Sequence, residues 1–174
     1  EVSLRIAATY YWVVSDLAAA SSGGRLAKDG FSEIGDPVGS AQAAIIHAAA
    51  AMEIATAAKA PRAPGRAATA QSPLGEVVNL LDTQALVLQQ AGFRYAQAQA
   101  LNFAGVGLFY QGDYGAARSR YEQAAAIFRS LGDATSAALP LQNIAHIDYD
   151  SGDYATAIAS LKSPLNVLDP TANA

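Results

Sequence analysis

Few side chains in this sequence carry chemistry, and their spacing decides which kind. There are two histidines, His47 and His146, and they occupy different points of the pattern set out below. His47 falls at an apolar core position, where a buried, hydrogen-bonded imidazole is the plain reading, while His146 is expected on an exposed helix face. No cysteine occurs, which excludes thiolate metal sites, thiol catalysis and disulfide scaffolds. Asp36, Asp113, Asp133 and Asp153 each follow a glycine directly. General acid–base catalysis needs two carboxylates converging in a cleft with shifted pKa values. An aspartate at a helix joint has a simpler use, accepting the free amide hydrogens of the helix it precedes. Capping accounts for all four. The glycines of "GDPVGSAQ" and "GVGLFYQGD" follow no strand and precede no Lys-Ser/Thr, so neither makes a phosphate loop. Tyr110, Tyr114, Tyr121, Tyr149 and Tyr154 recur at helical spacing, as core residues do, with a ligand cage as the alternative. Lys59, Arg62 and Arg66 stand without an acid and read as a solvated loop or as an electrostatic arm for an acidic partner. No catalytic, metal or cofactor site emerges, and no enzyme is expected.

These residues sit in a chain of 174 residues, 52% apolar and only 15% charged, of which alanine supplies about a quarter. Helix is therefore the default expectation. Eleven basic against 15 acidic residues leave a net charge of −4, which argues against a nucleic-acid partner that must be met by a basic face. The apolar stretch Ala41–Met52 is interrupted by Gln42 and His47 and stops at Glu53, short of the roughly 20 residues a membrane span needs. The sequence opens on Glu1, in a helical pattern, so it is expected to be a segment of a longer protein, with a cytoplasmic location as the working expectation.

Self-comparison organises the chain. "FAGVGLFYQGDYGAARSRYEQAAAIFRSLGD" (Phe103–Asp133) is echoed by "IAHIDYDSGDYATAIASLKSPLNVLDP" (Ile144–Pro170), with Gly112 and Gly152 standing 40 residues apart, as do Gly92 and Gly132. Toward the N-terminus, Asp16–Asp36 parallels Asp113–Asp133, aligning Ala20 with Ala117, Ala27 with Ala124 and Phe31 with Phe128. Gly35 and Gly92 are 57 apart, one period plus an excess that falls in "AAKAPRAPGRAATAQSP". Its prolines and glycine deny it regular helix, so 57–71 is expected to be irregular. The pattern predicts eight helices in four hairpins: Val2–Val14 with Leu17–Glu33, Pro37–Ala58 with Pro73–Gln90, Phe93–Tyr110 with Tyr114–Ser130, and Ala134–Asp150 with Tyr154–Leu168. Ser72-Pro73 supplies a cap and a first-turn proline, and Gly92 and Gly132 suit left-handed helix ends.

A 40-residue helix hairpin with small residues at the crossing, a Gly-Asp-Tyr turn, and Ala and Tyr on its second helix resembles the tetratricopeptide repeat. The residues that carry the likeness are Gly105, Gly112, Tyr114, Ala117, Tyr121 and Ala124 in one repeat and Ala145, Gly152, Tyr154, Ala157 and Leu161 in the next. The Leu-Gly-Asp joints look like arrays found in large bacterial signalling proteins, beside CHAT or regulatory ATPase modules. Two departures stand out: Gly23-Gly24 interrupts a second helix and is expected to shorten it, and Pro164 is expected to bend or end the last helix.

The resemblance implies an all-α, right-handed solenoid of about four hairpins, stacked because no hairpin buries its stripe alone. It implies a concave groove, lined by the first helices, that binds a peptide or a neighbouring domain. By register the groove residues are Arg5, Thr9, Trp12 and Val13; Ile45, Ala49, Met52 and Glu53; Asn102, Val106, Phe109 and Tyr110; and Gln142, His146, Tyr149 and Asp150. Family members that bind chaperone tails hold a terminal carboxylate with Lys, Asn and Arg, where this sequence has Ile45, Val106 and Ala49. A structural or oligomerising segment is the alternative function. The last helix carries Ile158, Leu161, Leu165, Val167 and Leu168 with Lys162 as its single charge, so its exposed face calls for either a further repeat in the natural chain or a second copy, and a homodimer through the C-terminal hairpin is predicted.

Overall fold

The computed structural model describes residues 16–57 and 73–168, with side chains described for 16–54 and 74–161. Seven α-helices follow one another: α1 (Leu17–Glu33), α2 (Pro37–Ala57), α3 (Pro73–Gln90), α4 (Arg94–Gln111), α5 (Tyr114–Ser130), α6 (Ala134–Asp150) and α7 (Tyr154–Leu168). No strand occurs among the described residues, as the repeat predicts. The expected helix Val2–Val14, with Arg5, Thr9, Trp12 and Val13, and all but the first residue of the insertion 57–71 lie outside the described residues.

One device makes most of the joints. Gly35, Gly112, Gly132 and Gly152 hold φ between 71° and 88°, a left-handed turn that a side chain disfavours. The aspartate that follows then accepts a backbone N–H three residues on: Gly39 to Asp36 at 2.9 Å, Ala116 to Asp113 at 3.0 Å, Ser136 to Asp133 at 2.8 Å and Thr156 to Asp153 at 3.1 Å. The joint between α3 and α4 keeps its glycine, Gly92, but Phe93 sits at the cap with no carboxylate to offer. Phe93 is thus outside the helix rather than its first residue, and the left-handed Gly112 lets α4 run to Gln111.

Each helix packs on its successor, and in addition α2 meets α4 and α4 meets α6. No two of α1, α3, α5 and α7 approach one another as closely among the described residues. The first helices of the hairpins therefore share one continuous face, the inner side of the stack. Leu81, Leu88, Leu101 and Phe128 anchor a core that runs from α2 to α6 among many alanines. Small residues allow that density. At Gly105 of α4 a Cβ would stand 2.6 Å from the ring of Tyr121, itself 1% exposed.

Neither predicted site ends or shortens its helix. α1 runs unbroken through Gly23-Gly24, because Gly24 is a buried contact with α2 rather than a weak point of the helix. α7 continues past Pro164 to Leu168. A further proline, Pro140, lies inside α6 with its ring fully buried.

Candidate functional site

The inner face is knitted by polar contacts one period apart. Asn143 of α6 donates from Nδ2 to Asn102 Oδ1 of α4 at 3.3 Å, and Tyr95 OH lies 3.3 Å from Ser136 Oγ. Tyr114 OH donates to Asp150 Oδ2 at 3.4 Å. Aromatic rings continue the face. Phe109 meets Tyr110 edge-on at 5.7 Å and Tyr114 at 5.4 Å, while Tyr149 meets Tyr154 edge-on at 5.3 Å, spacings at which rings attract one another.

The predicted groove residues divide by exposure. Tyr110 and Tyr149 are 40% and 62% exposed, and Gln142, His146 and Asp150 are also open to solvent. Asn102 is half-buried in its amide bond, and Val106 and Phe109 are half-buried against Ala117, Tyr121, Ile144 and Ile147. Met52 is not part of an open surface. It is 2% exposed, filling space left where Gly107 of α4 has no side chain. Ile45 and Ala49 are likewise core residues, whereas Glu53 is exposed. His47 is half-buried, its Nδ1 donating to the Ser21 carbonyl oxygen at 2.9 Å, with Ser21 Oγ at 3.0 Å.

Two ion pairs tie the hairpins together. Arg118 of α5 bonds Asp148 of α6, whose carboxylate is 6% exposed and also accepts from Ser160 Oγ at 3.5 Å. Arg120 grips Asp82 of α3 through Nε at 2.8 Å and a terminal nitrogen at 3.0 Å, and the hydrogen bond to that carboxylate raises the guanidinium pKa. Spacing alone did not single out either pair. The available signal was Asp148 itself, an acid one turn after the core residue Ile144 and next to Ile147, which requires a cation once buried. Burial, followed by the nearby Tyr110, drives the Tyr121 phenol well above its ordinary pKa, so this ring is a neutral wall of the core. Among the described residues no cluster of His, Asp and Glu could hold a metal ion, and no helix is long and apolar enough to cross a membrane.

Residues 96–168, from the first turn of α4 to the end of α7, match the family model of the tetratricopeptide repeat. This stretch belongs to that family. Tetratricopeptide repeats are non-catalytic and mediate contacts between proteins. No curated protein matches the chain.

The last tetratricopeptide hairpin of the matched stretch is α6 with α7. α6 and α7 enclose a cavity of about 390 Å³, lined by Ala145, His146 and Tyr149 from the first helix and by Tyr154, Ala157, Ile158 and Leu161 from the second. A second hollow of about 470 Å³ lies at the α1–α2 joint, where Pro37 and Val87 line it beside Ser32, Asp36, Ser40 and Gln84. In the hollow the Ser32 and Ser40 hydroxyls meet at 3.0 Å and Asp36 already caps α2, so its polar groups satisfy one another.

Proposed function

We propose that this chain is a non-enzymatic interaction module whose inner face binds an extended or helical peptide, or a neighbouring domain, through apolar side chains. The observation that supports the reading most is Tyr110. It is 40% exposed near the C-terminal end of α4 and braced edge-on by Phe109, on the helix that also carries Asn102 of the Asn102–Asn143 amide pair. A pre-positioned ring loses little entropy on binding, and amides farther along the same helix can pair with a peptide backbone. The scarcity of exposed charge on this face favours an apolar partner over an acidic or basic one. A carboxylate clamp has no support, since Ile45 and Ala49 are buried and neither they nor Val106 carries a donor side chain.

Selection of short random peptides on the immobilised chain tests this directly. The recovered peptides should be rich in apolar residues, keep their affinity at moderate salt, and weaken about 30-fold on Tyr110→Ala, the loss of roughly 2 kcal/mol typical of an aromatic anchor. Recovery of peptides that ignore Tyr110→Ala, or that release at moderate salt, would overturn the reading.

A further inference from the structure

α4 and α6 meet along a crease of the inner face. Tyr95 OH lies 3.3 Å from Ser136 Oγ, and seven residues later on both helices Asn143 donates to Asn102 at 3.3 Å. Residue numbers rise together across these contacts, so the two helices run parallel, with both N-termini at one end of the crease. Charge is divided between the ends. Arg94, beside Tyr95 in the first turn of α4, is exposed and has no acidic partner among the described residues. Arg129 in the last turn of α5 adds positive charge there, while Asp133 is engaged in capping α6. At the other end Asp150, in the last turn of α6, is exposed and meets the Tyr114 hydroxyl at 3.4 Å but no cation among the described residues. The capping residues Asp113 and Asp153 add to the negative charge of that end, where Arg118 is held by the buried Asp148.

Neither Arg94 nor Asp150 serves its own helix. A helix dipole favours acids in the first turn and bases in the last, yet α4 begins with a base, α6 ends with an acid, and neither helix has the favourable arrangement at either end. Midway along, the Asn102–Asn143 bond leaves Asn102 Nδ2 as a donor and Asn143 Oδ1 as an acceptor, neither with a partner among the described residues. An extended backbone offers the matching C=O and N–H, which a helix keeps for its own ladder. We propose that this crease takes an extended segment with an acidic residue at the Arg94 end, an apolar middle, and a basic residue at the Asp150 end. The proposal rests on the inner face binding a peptide and deepens that reading by giving the peptide a charge order. The apolar middle has Leu139, 60% exposed, and Tyr110 to lie against. Such a segment carries little net charge, in keeping with a face that favours neither an acidic nor a basic partner. Arg94 to Tyr110 is about 24 Å of helix, which about seven extended residues span.

Four libraries of end-blocked nonapeptides test this at neutral pH, each with seven randomised residues between fixed ends: Glu…Lys, Lys…Glu, Glu…Glu and Lys…Lys. The unmodified chain should favour one of the opposite-ended libraries by about five-fold over either like-ended one, and which of the two it takes gives the direction of the bound backbone. Arg94→Glu should shift the preference to Lys…Lys, and Asp150→Lys to Glu…Glu. The two substitutions together should restore opposite ends in the reverse order, with circular dichroism showing each variant folded. Tyr110→Ala should weaken every library without changing their rank. Equal recovery from all four libraries, or a rank that ignores Arg94→Glu and Asp150→Lys, overturns the charge order while leaving peptide binding in place. Recovery from none removes peptide binding and the charge order with it. Libraries that bind only after Lys59, Arg62 and Arg66 are all replaced by serine would overturn it too, by assigning the Asp150 end to the chain's own residues 58–72.

Discussion

Gly24 of α1 lies against the backbone of His47 in α2, so that a methyl group on its α-carbon would stand 2.8 Å from the His47 amide nitrogen and 3.1 Å from its α-carbon. Backbone on both sides leaves nothing to rotate away. Gly24→Ala should therefore force the two helices apart and destabilise the fold by about 1–3 kcal/mol, the range for overpacked cores. Gly30, two turns later on the same helix, has nothing within 4 Å of its would-be Cβ. Gly30→Ala should instead stabilise by about 0.5–1 kcal/mol through helix propensity alone. Opposite shifts in urea midpoint check both.

Gly105 and Tyr121 make a size-matched pair of the same kind. In the preceding repeat the corresponding residues are Ala48 and Leu81, both fully buried. Gly105→Ala should cost about 1–3 kcal/mol, because the ring it strikes is fixed in the core. Adding Tyr121→Leu should recover part of that loss by restoring the older combination. A double-mutant cycle should show coupling on the order of 1 kcal/mol; simple additivity would contradict the pairing.

The Arg118–Asp148 pair is asymmetric, with the carboxylate buried and the guanidinium about a third exposed. Arg118→Met strands a buried acid, while Asp148→Asn leaves an arginine that can reach water. Arg118→Met should be the costlier change, by about 1–2 kcal/mol in thermal or denaturant unfolding after allowing for the exposed half of the pair.

Acid should loosen the joints. Hydrogen bonds from Ser136 hold the Asp133 carboxyl below its usual 3.8, and those from Thr156 do the same for Asp153. A lowered folded pKa contributes stability that is complete above the unfolded value and disappears as pH falls through the folded one. Helicity at α6 and α7 should thus be flat from neutral pH down to about 4 and decline below it. Asp133→Asn with Asp153→Asn keeps an acceptor oxygen at each cap, so this variant should fold normally at neutral pH and lose that acid-range dependence in circular dichroism.

Much of this architecture was legible because its signals are local. Left-handed glycine and capping aspartate stand side by side in sequence, and they locate the starts of α5, α6 and α7 to the residue. The inner face was less legible. Met52 shares its register with Phe109, yet whether that register is open depends on Gly107, 55 residues away, and on the helix that carries it. Gly24 read as a helix breaker because propensity is local, whereas its use here is the crossing with α2. Arg118 and Asp148 sit on different helices, 30 residues apart, where no periodicity relates them.

Ser21 meets the His47 imidazole, Val78 packs against Gly107, which has no side chain, and Arg118 pairs with Asp148, and these unlike contacts at corresponding second-helix positions also bear on how the chain assembles. Repeats this similar offer grooves of nearly the same shape, so a nascent stack could close with the wrong helix. Seating α4 where α6 belongs would bury Arg118 opposite Leu108, and seating α6 where α4 belongs would press Ile147 onto Val78 where only a hydrogen fits. Each such error incurs a desolvation or steric penalty at once, before the rest of the helix has docked. Correct order in the stack is thereby proofread locally, one joint at a time.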